Sequence, residues 1–193
     1  SFGIGELMRK FLTFLPLMLT LMLWAVPAKA DLLSVHADIP LSFSPTQEGS
    51  DSSDSISGAR VGLSLFILPL GIAYESYEVS YTSDTVDSKD TYQIASVFVN
   101  LPVPVINIAL GAGAGMVAGE GELSNGAKLT ADDSAATSFF ATLGYPILPL
   151  FDVHVGYQVI NANKVEVKNP SGGIQYERDP SGTVWTAGIK IGF

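Results

Sequence analysis

The chain has 193 residues, of which 47% are apolar and only 15% charged, against roughly 25% charged in soluble domains. It has no Cys, which excludes a disulfide framework and any thiolate metal centre. Its formal net charge is −9, with ten basic residues too scattered to form a nucleic-acid surface.

The first thirty residues read as a leader. Met8-Arg9-Lys10 is a short basic start, Phe11 to Val26 an apolar run, and Ala28-Lys29-Ala30 a small-x-small cleavage site before Asp31. Ser1 to Leu7 read as upstream residues ahead of the true start. A retained spanning anchor is the competing reading. The run is short for that, contains Pro16 and ends in Ala-x-Ala. Loss of Arg9, Lys10, Lys29 and Glu6 leaves seven basic and eighteen acidic residues, a formal charge of −11. Residues 31–193 then form one unit. No later stretch is apolar for long enough to make a spanning helix.

Period-2 alternation places a first strand at Leu33 to Phe43, with Val35, Ala37, Ile39, Leu41 and Phe43 on one face. Pro40 falls on the other face, where one ladder bond must be missing. Ser44 to Ser57 is a polar loop. The second strand, Gly58 to Ile67, turns Ala59, Val61, Leu63 and Leu65 one way and Arg60 the other. A tight turn at Leu68 to Gly71 leads into the third strand, Ile72 to Thr82. Its outward set reads Tyr77, Val79 and Tyr81, with Tyr74, Ser76, Glu78 and Ser80 inward. Glu75 fits badly on that outward face, and a bulge near Ala73 or a position close to the headgroups would relieve it.

Ser83 to Asp90 reads as an acidic loop and Thr91 to Leu101 as the fourth strand. Pro102 to Pro104 turns the chain into the fifth strand, Val105 to about Ala118. Gly119 to Ser134 is a third polar loop. Strands six and seven run from Ala135 to Tyr145 and from Leu150 to Ile160, joined by a turn at Pro146 to Pro149. Asn161 to Ser181 is the longest loop. The eighth strand ends the chain with Trp185, Ala187, Ile189, Ile191 and Phe193 on one face and Val184, Thr186, Gly188 and Lys190 on the other.

The fold class is therefore all-β: an eight-stranded antiparallel up-and-down transmembrane β-barrel. Odd-numbered connections are long and acidic, and even-numbered ones are short and carry Pro. That rhythm separates extracellular loops from periplasmic turns. Strands of about 9–11 residues suit a tilted crossing of the hydrocarbon. The bulky faces meet lipid. Phe43, Tyr81, Phe139, Tyr157 and Trp185 make a girdle near the loops, and Tyr145, Phe151 and Phe193 one near the turns. A soluble lipocalin-like barrel, with the bulky faces inside, is the alternative fold.

The small polar faces line a bore only wide enough for its own side chains. Arg60 and Glu78 pair there if the second hairpin is centred on Pro69. His36, Asp38, Asp152, His154 and Lys190 gather nearer the turns. Buried charge must be paired, so this network reads as a plug. Proton-linked gating is the sharper alternative, because His titrates near neutrality. No catalytic triad assembles. Asp51-Ser52-Ser53-Asp54 lacks the spacing of a Ca²⁺ loop, and Gly111-x-Gly113-x-Gly115 lacks that of a nucleotide loop. No catalytic, cofactor or metal residue is assigned, and no cofactor is expected.

Taken with the terminal Trp185, Ile189, Ile191 and Phe193, this pattern resembles the eight-stranded outer-membrane barrels of Gram-negative bacteria, the OmpX, OmpA-barrel and OmpW group. The resemblance covers Asp31 to Phe193. It implies Sec export with a cleaved signal peptide and residence in the cell outer membrane among its lipids and lipopolysaccharide. It also implies that periplasmic chaperones and the barrel-assembly machinery handle the chain, the latter reading its last strand. A monomer with a structural or surface-interaction role is expected. An OmpW-like narrow channel for small apolar molecules is the second reading, and a lipid A-modifying enzyme the third.

Overall fold

The computed structural model describes residues 33–46, 55–65, 69–82, 86–103, 106–123, 126–148, 150–168 and 174–193. The leader and its cleavage site lie outside them, as does the Asp51 to Asp54 stretch. Eleven strands are described: β1 (Leu33–Pro45), β2 (Ser55–Leu65), β3 (Leu70–Thr82), β4 (Val86–Val103), β5 (Ile106–Leu123), β6 (Lys128–Ala131), β7 (Ser134–Leu148), β8 (Phe151–Ala162), β9 (Val165–Lys168), β10 (Ile174–Arg178) and β11 (Gly182–Gly192). No helix among the described residues is long and apolar enough to cross a membrane.

Eight strands close a ring. β1 to β5 pair in succession, β5 pairs β7, β7 pairs β8, β8 pairs β11, and β11 returns to β1. All these pairings are antiparallel. Closure leaves the barrel no free edge. The remaining three strands lie outside the ring. β4 and β5 each run 18 residues. The far end of β5 carries β6, which carries β9, which carries β10. The expected loops over 83–90, 119–134 and 161–181 are thus partly strand, an arm standing beyond the barrel on the loop side. They read as loops because their Gly, Asp and Glu residues weaken an alternation that pairing to β5 sustains.

The bulky faces point outward. Ile39, Val61, Leu63, Val97, Leu143, Val155 and Ile189 are exposed, while the opposite faces are buried. Two strands depart from the expected facing. In β3, Tyr74 is 53% exposed and Ile72 62%, whereas Glu75 is 0% and Tyr77 1% exposed. The strand is inverted: Glu75, Tyr77, Val79 and Tyr81 face the lumen, and Glu78 faces out. No bulge is needed near Ala73, and both ladders of β3 run unbroken. The cause is the hairpin. Arg60 pairs Glu75 and Ser64 pairs Gly71, so the turn is centred ahead of Pro69. An odd shift of register sends every side chain to the other face.

The second departure is in β1. Pro40 pairs Thr186 and Ser42 pairs Trp185, leaving Leu41 in a bulge. Beyond it the faces exchange, and Phe43 is buried instead of facing lipid. Pro40, with no N–H to give, stands beside that break in the ladder. Phe43 and Tyr81 therefore leave the outward girdle and meet each other inside, ring centroids 6.4 Å apart.

The lumen is filled in two tiers. Its loop-side half is apolar: Phe43, Tyr77, Val79, Tyr92, Ile94, Val117 and Val184 form one buried cluster. Toward the turns, Phe98, Ala109 and Phe140 form a smaller one. Glycines admit the rings. A Cβ on Gly71 would sit 2.2 Å from Phe98, and one on Gly111 2.3 Å from Phe140. Spin labels on cysteines substituted for Tyr74 and Tyr77 test the inversion of β3 in bilayers. The label at 74 should be mobile and relaxed by dissolved oxygen. The label at 77 should be immobile and protected, or should block folding. The reverse pattern would restore the facing expected from sequence.

Candidate functional site in the lumen

Asp38 is the centre of the luminal polar groups. β1 sets it directly across from Arg60 on β2 and from Gly188 on β11. Arg60 donates twice to its carboxylate, Nε to Oδ2 at 3.2 Å and Nη2 to Oδ1 at 3.1 Å. His154 Nε2 meets Oδ1 at 2.7 Å. Gly188, opposite both Asp38 and His154, makes room: a Cβ there would lie 2.6 Å from His154 Nε2. Arg60 and Asp38 are 3% and 2% exposed, so this is a fully desolvated fork-to-carboxylate pair. The guanidinium also lies 4.1 Å above the Phe140 ring.

The Arg60–Glu78 pair expected from sequence does not form. Glu78 stands on the outer face, 2.9 Å from Lys89 of β4, with both side chains more than two-fifths exposed. Glu75 takes the luminal place instead, one tier closer to the loops. Its Oε1 accepts from Gln158 Nε2 at 2.6 Å and from Ser138 Oγ at 3.4 Å. Nothing in the sequence marked Gln158 or Ser138 as partners of this carboxylate, because the β3 facing was inverted.

Near the turns a second group forms. Asn107 donates to Asp152 Oδ2 at 2.5 Å, and Lys190 Nζ lies 3.8 Å from the same oxygen. Ser34 and Ser64 hydroxyls are 2.6 Å apart, and His36 Nε2 is 3.1 Å from Ser64 Oγ. His36 and His154 have ring centroids 6.1 Å apart. A Ser–His contact invites a catalytic reading, and the Ser34–Ser64 pairing between β1 and β2 was not foreseen. The neighbouring cavity, lined by His36, Asp38, Arg60 and His154, has about 10 Å³ of room, enough for one water. Among the described residues no cluster of metal-binding side chains is present.

The outward aromatics fall at two levels. Phe139, Tyr157 and Trp185 are exposed on the loop side, with Tyr157 and Trp185 rings 5.0 Å apart. Tyr145 and Phe193 are exposed and Phe151 half-buried at the turn side. On the exterior of β2 to β5 a groove of about 810 Å³ lies over Ala95, Ala112 and Ala114, rimmed by Leu63, Ile72 and Tyr74.

No protein-family model matches the chain, and no curated protein matches it in sequence. Solved structures do match in shape. Neisserial surface protein A shares 18% identity over 83% of this chain and 97% of its own, with a TM-score of 0.60. Ail, the attachment invasion locus protein of Yersinia pestis, shares 11% over 84% and 99%, with a TM-score of 0.59. A major outer membrane protein from Thermus thermophilus shares 11% over 83% and 98%, with a TM-score of 0.55. The fold is that of the small eight-stranded outer-membrane barrels.

The two ion pairs of β1 to β4 should differ in weight. Arg60→Met leaves Asp38 buried beside His154 alone and should cost about 3–5 kcal/mol. Glu78→Gln removes an exposed pair and should cost at most about 1 kcal/mol. Urea unfolding in micelles, followed by gel mobility, measures both. Equal costs would contradict the assignment of Glu78 to the outer face.

Proposed function

We propose that the chain is an integral outer-membrane barrel with a closed lumen, acting through its loop-side surface. The observation that carries this is the division of the wall. An apolar belt faces out, and the bore is filled with side chains, most of them buried. Lipid chains and lipopolysaccharide cover the belt and its groove, with Phe139, Tyr157 and Trp185 at one interface and Tyr145, Phe151 and Phe193 at the other. Among the luminal groups, Asp38, Arg60 and His154 hold the bore shut, with Asp152 and Lys190 below them.

Residues 8–30, behind the upstream residues 1–7, serve as the Sec signal and are removed. Periplasmic chaperones then carry the chain to the barrel-assembly machinery, which reads Trp185, Ile189, Ile191 and Phe193. These four side chains share the outer face of β11 and the C-terminus, open to a partner before lipid closes over them. The barrel works as a monomer, because ring closure uses both edges of every barrel strand. Surface contact is the role that remains once passage and catalysis lose their space. The segments 44–58, 82–91, 119–134 and 161–181 together hold thirteen acidic and five basic residues. That charge disfavours polyanions, nucleic acid included, and favours neutral or cationic partners. The cavity beside His36 and His154, about 10 Å³, is too small for a substrate, which sets the lipid A-modifying reading behind.

One observation favours the narrow-channel reading: the loop-side half of the bore is apolar, as passage of apolar molecules requires. It is packed, however, so passage needs Phe43 and Tyr92 to swing aside. Planar-bilayer recording separates the two readings. The native protein should carry no steady current, and the Phe43→Ala, Tyr92→Ala double variant should carry brief openings at most. A steady current through the native protein would overturn the closed lumen. N-terminal sequencing of the mature protein should begin at Asp31.

A further inference from the structure

We infer that the lumen holds a one-ended hydrated site: a single water bound between His36, Arg60 and His154, reached from the turn side and sealed from the loop side. Three independent features converge on it. The first is room. The cavity between these residues has about 10 Å³, close to the smallest volume that admits one water. Its wall carries the two to four polar partners such a water needs, with Thr142 beside them.

The second is an unpartnered donor. Arg60 is 3% exposed and directs Nε and Nη2 to Asp38, but its Nη1 is buried without a partner among the described residues. A guanidinium N–H left so costs more than a hydrogen bond is worth, whereas a water in the adjoining cavity satisfies it. The third is a gap in a chain of hydrogen bonds. Ser34, Ser64 and His36 connect in sequence from the turn-side rim. His154 and Asp38 connect to each other and to Arg60. Between the two runs the imidazole centroids are 6.1 Å apart, too far for a direct hydrogen bond between the rings and suited to one bridging water.

The well has a bottom. Past Glu75, Gln158 and Ser138 the inward side chains are Tyr77, Val79, Ile94, Val117 and Val184, each 0–1% exposed. Above them the Tyr92 hydroxyl donates to the Pro180 carbonyl at 2.6 Å, and Arg178 pairs with Asp90. Between these two polar tiers the bore is packed with apolar side chains, which separates the water site from the loop-side groups. Asp38 and His154 thus share solvent exchange with one face of the membrane only.

The test is nuclear magnetic resonance on labelled protein in detergent micelles, where both mouths meet bulk solvent. Cross-relaxation from a long-lived water should reach Arg60 guanidinium and His154 ring protons. A dissolved gadolinium chelate should broaden His36 strongly and Val79 and Val184 weakly. Ala109→Val fills the cavity from one wall, because Ala109 lines it and is 5% exposed. The water signal should be lost while the amide spectrum is otherwise kept. If that variant does not fold, Ala73→Val fills the same space from the neighbouring β3 wall. Absence of the water signal in the native protein would overturn the inference. So would its survival in a folded cavity-filled variant, or equal broadening of Val184 and His36.

Discussion

Backbone hydrogen bonding decides the rest of this structure. In hydrocarbon an unpaired N–H or C=O costs several kcal/mol, so a sheet that enters lipid must return on itself. Here the return is the β1–β11 seam, which runs from Ser34 opposite Gly192 to Pro45 opposite Gly182 with one interruption at Leu41. The interruption is tolerated because Pro40 had no N–H to contribute there. Once eight strands have closed, the bore is too narrow for bulk water and too wide to stay empty. Filling it with side chains is then forced, and the glycines show where room ran short. Gly182 gives way to the Phe43 ring, as Gly71 does to Phe98.

The filling uses two chemistries, and their order along the bore is physically reasonable. Rings and branched chains in the loop-side half exclude water by packing, the Tyr77 and Tyr92 hydroxyls being their polar exceptions. Polar groups occupy the turn-side half, where Asp38 has a bidentate guanidinium and an imidazole as partners. Such a buried cluster adds little net stability over an apolar one of equal volume, but it tolerates few other arrangements. Asp38, Arg60 and His154 come from β1, β2 and β8, so any slip of one strand breaks a charge pair. On the plugged-lumen proposal the cluster would act as a register lock on β1, β2 and β8.

This division explains what the sequence made legible. The eight barrel strands, the closure and the outward facing of β2, β4, β5, β7, β8 and β11 follow from alternation, since lipid demands apolar groups on one face without exception. The inward face has no such uniformity. Where it is polar or small, as at Arg60 or Gly111, the facing is plain. Where it is bulky, as at Tyr77, Val79 and Phe43, both faces of a strand look alike to a periodicity argument. The misplaced facing of β3 and of the end of β1 both fall in the apolar tier. Glu75 was the one discordant residue in β3, and it pointed to inversion. The Asp38–Arg60 pairing stayed hidden for a different reason: a long loop joins β1 to β2, and such a loop carries no register information. Alternation likewise gave no warning of the arm, whose strands are stabilised by β5 and one another.

That arm changes where the hydrocarbon must end. On β3 the outward sequence passes from Ile72 and Tyr74 to Ser76 and Glu78, and on β4 from Val97 and Ala95 to Gln93 and Lys89. Beyond these points the register sets Lys89 opposite Glu120 and Glu122 opposite Lys128. Glu122 also stands opposite Asp87, so these rows mix unlike and like charges across β4, β5 and β6, and they cannot sit in acyl chains. The strands themselves continue without a break, so the barrel wall and the arm are one sheet. The arm continues the barrel wall and is tied across the mouth by Tyr92 to Pro180 and by Arg178 to Asp90. On the proposed surface role, a contact above the membrane would be made on paired strands, with the filled bore beneath them.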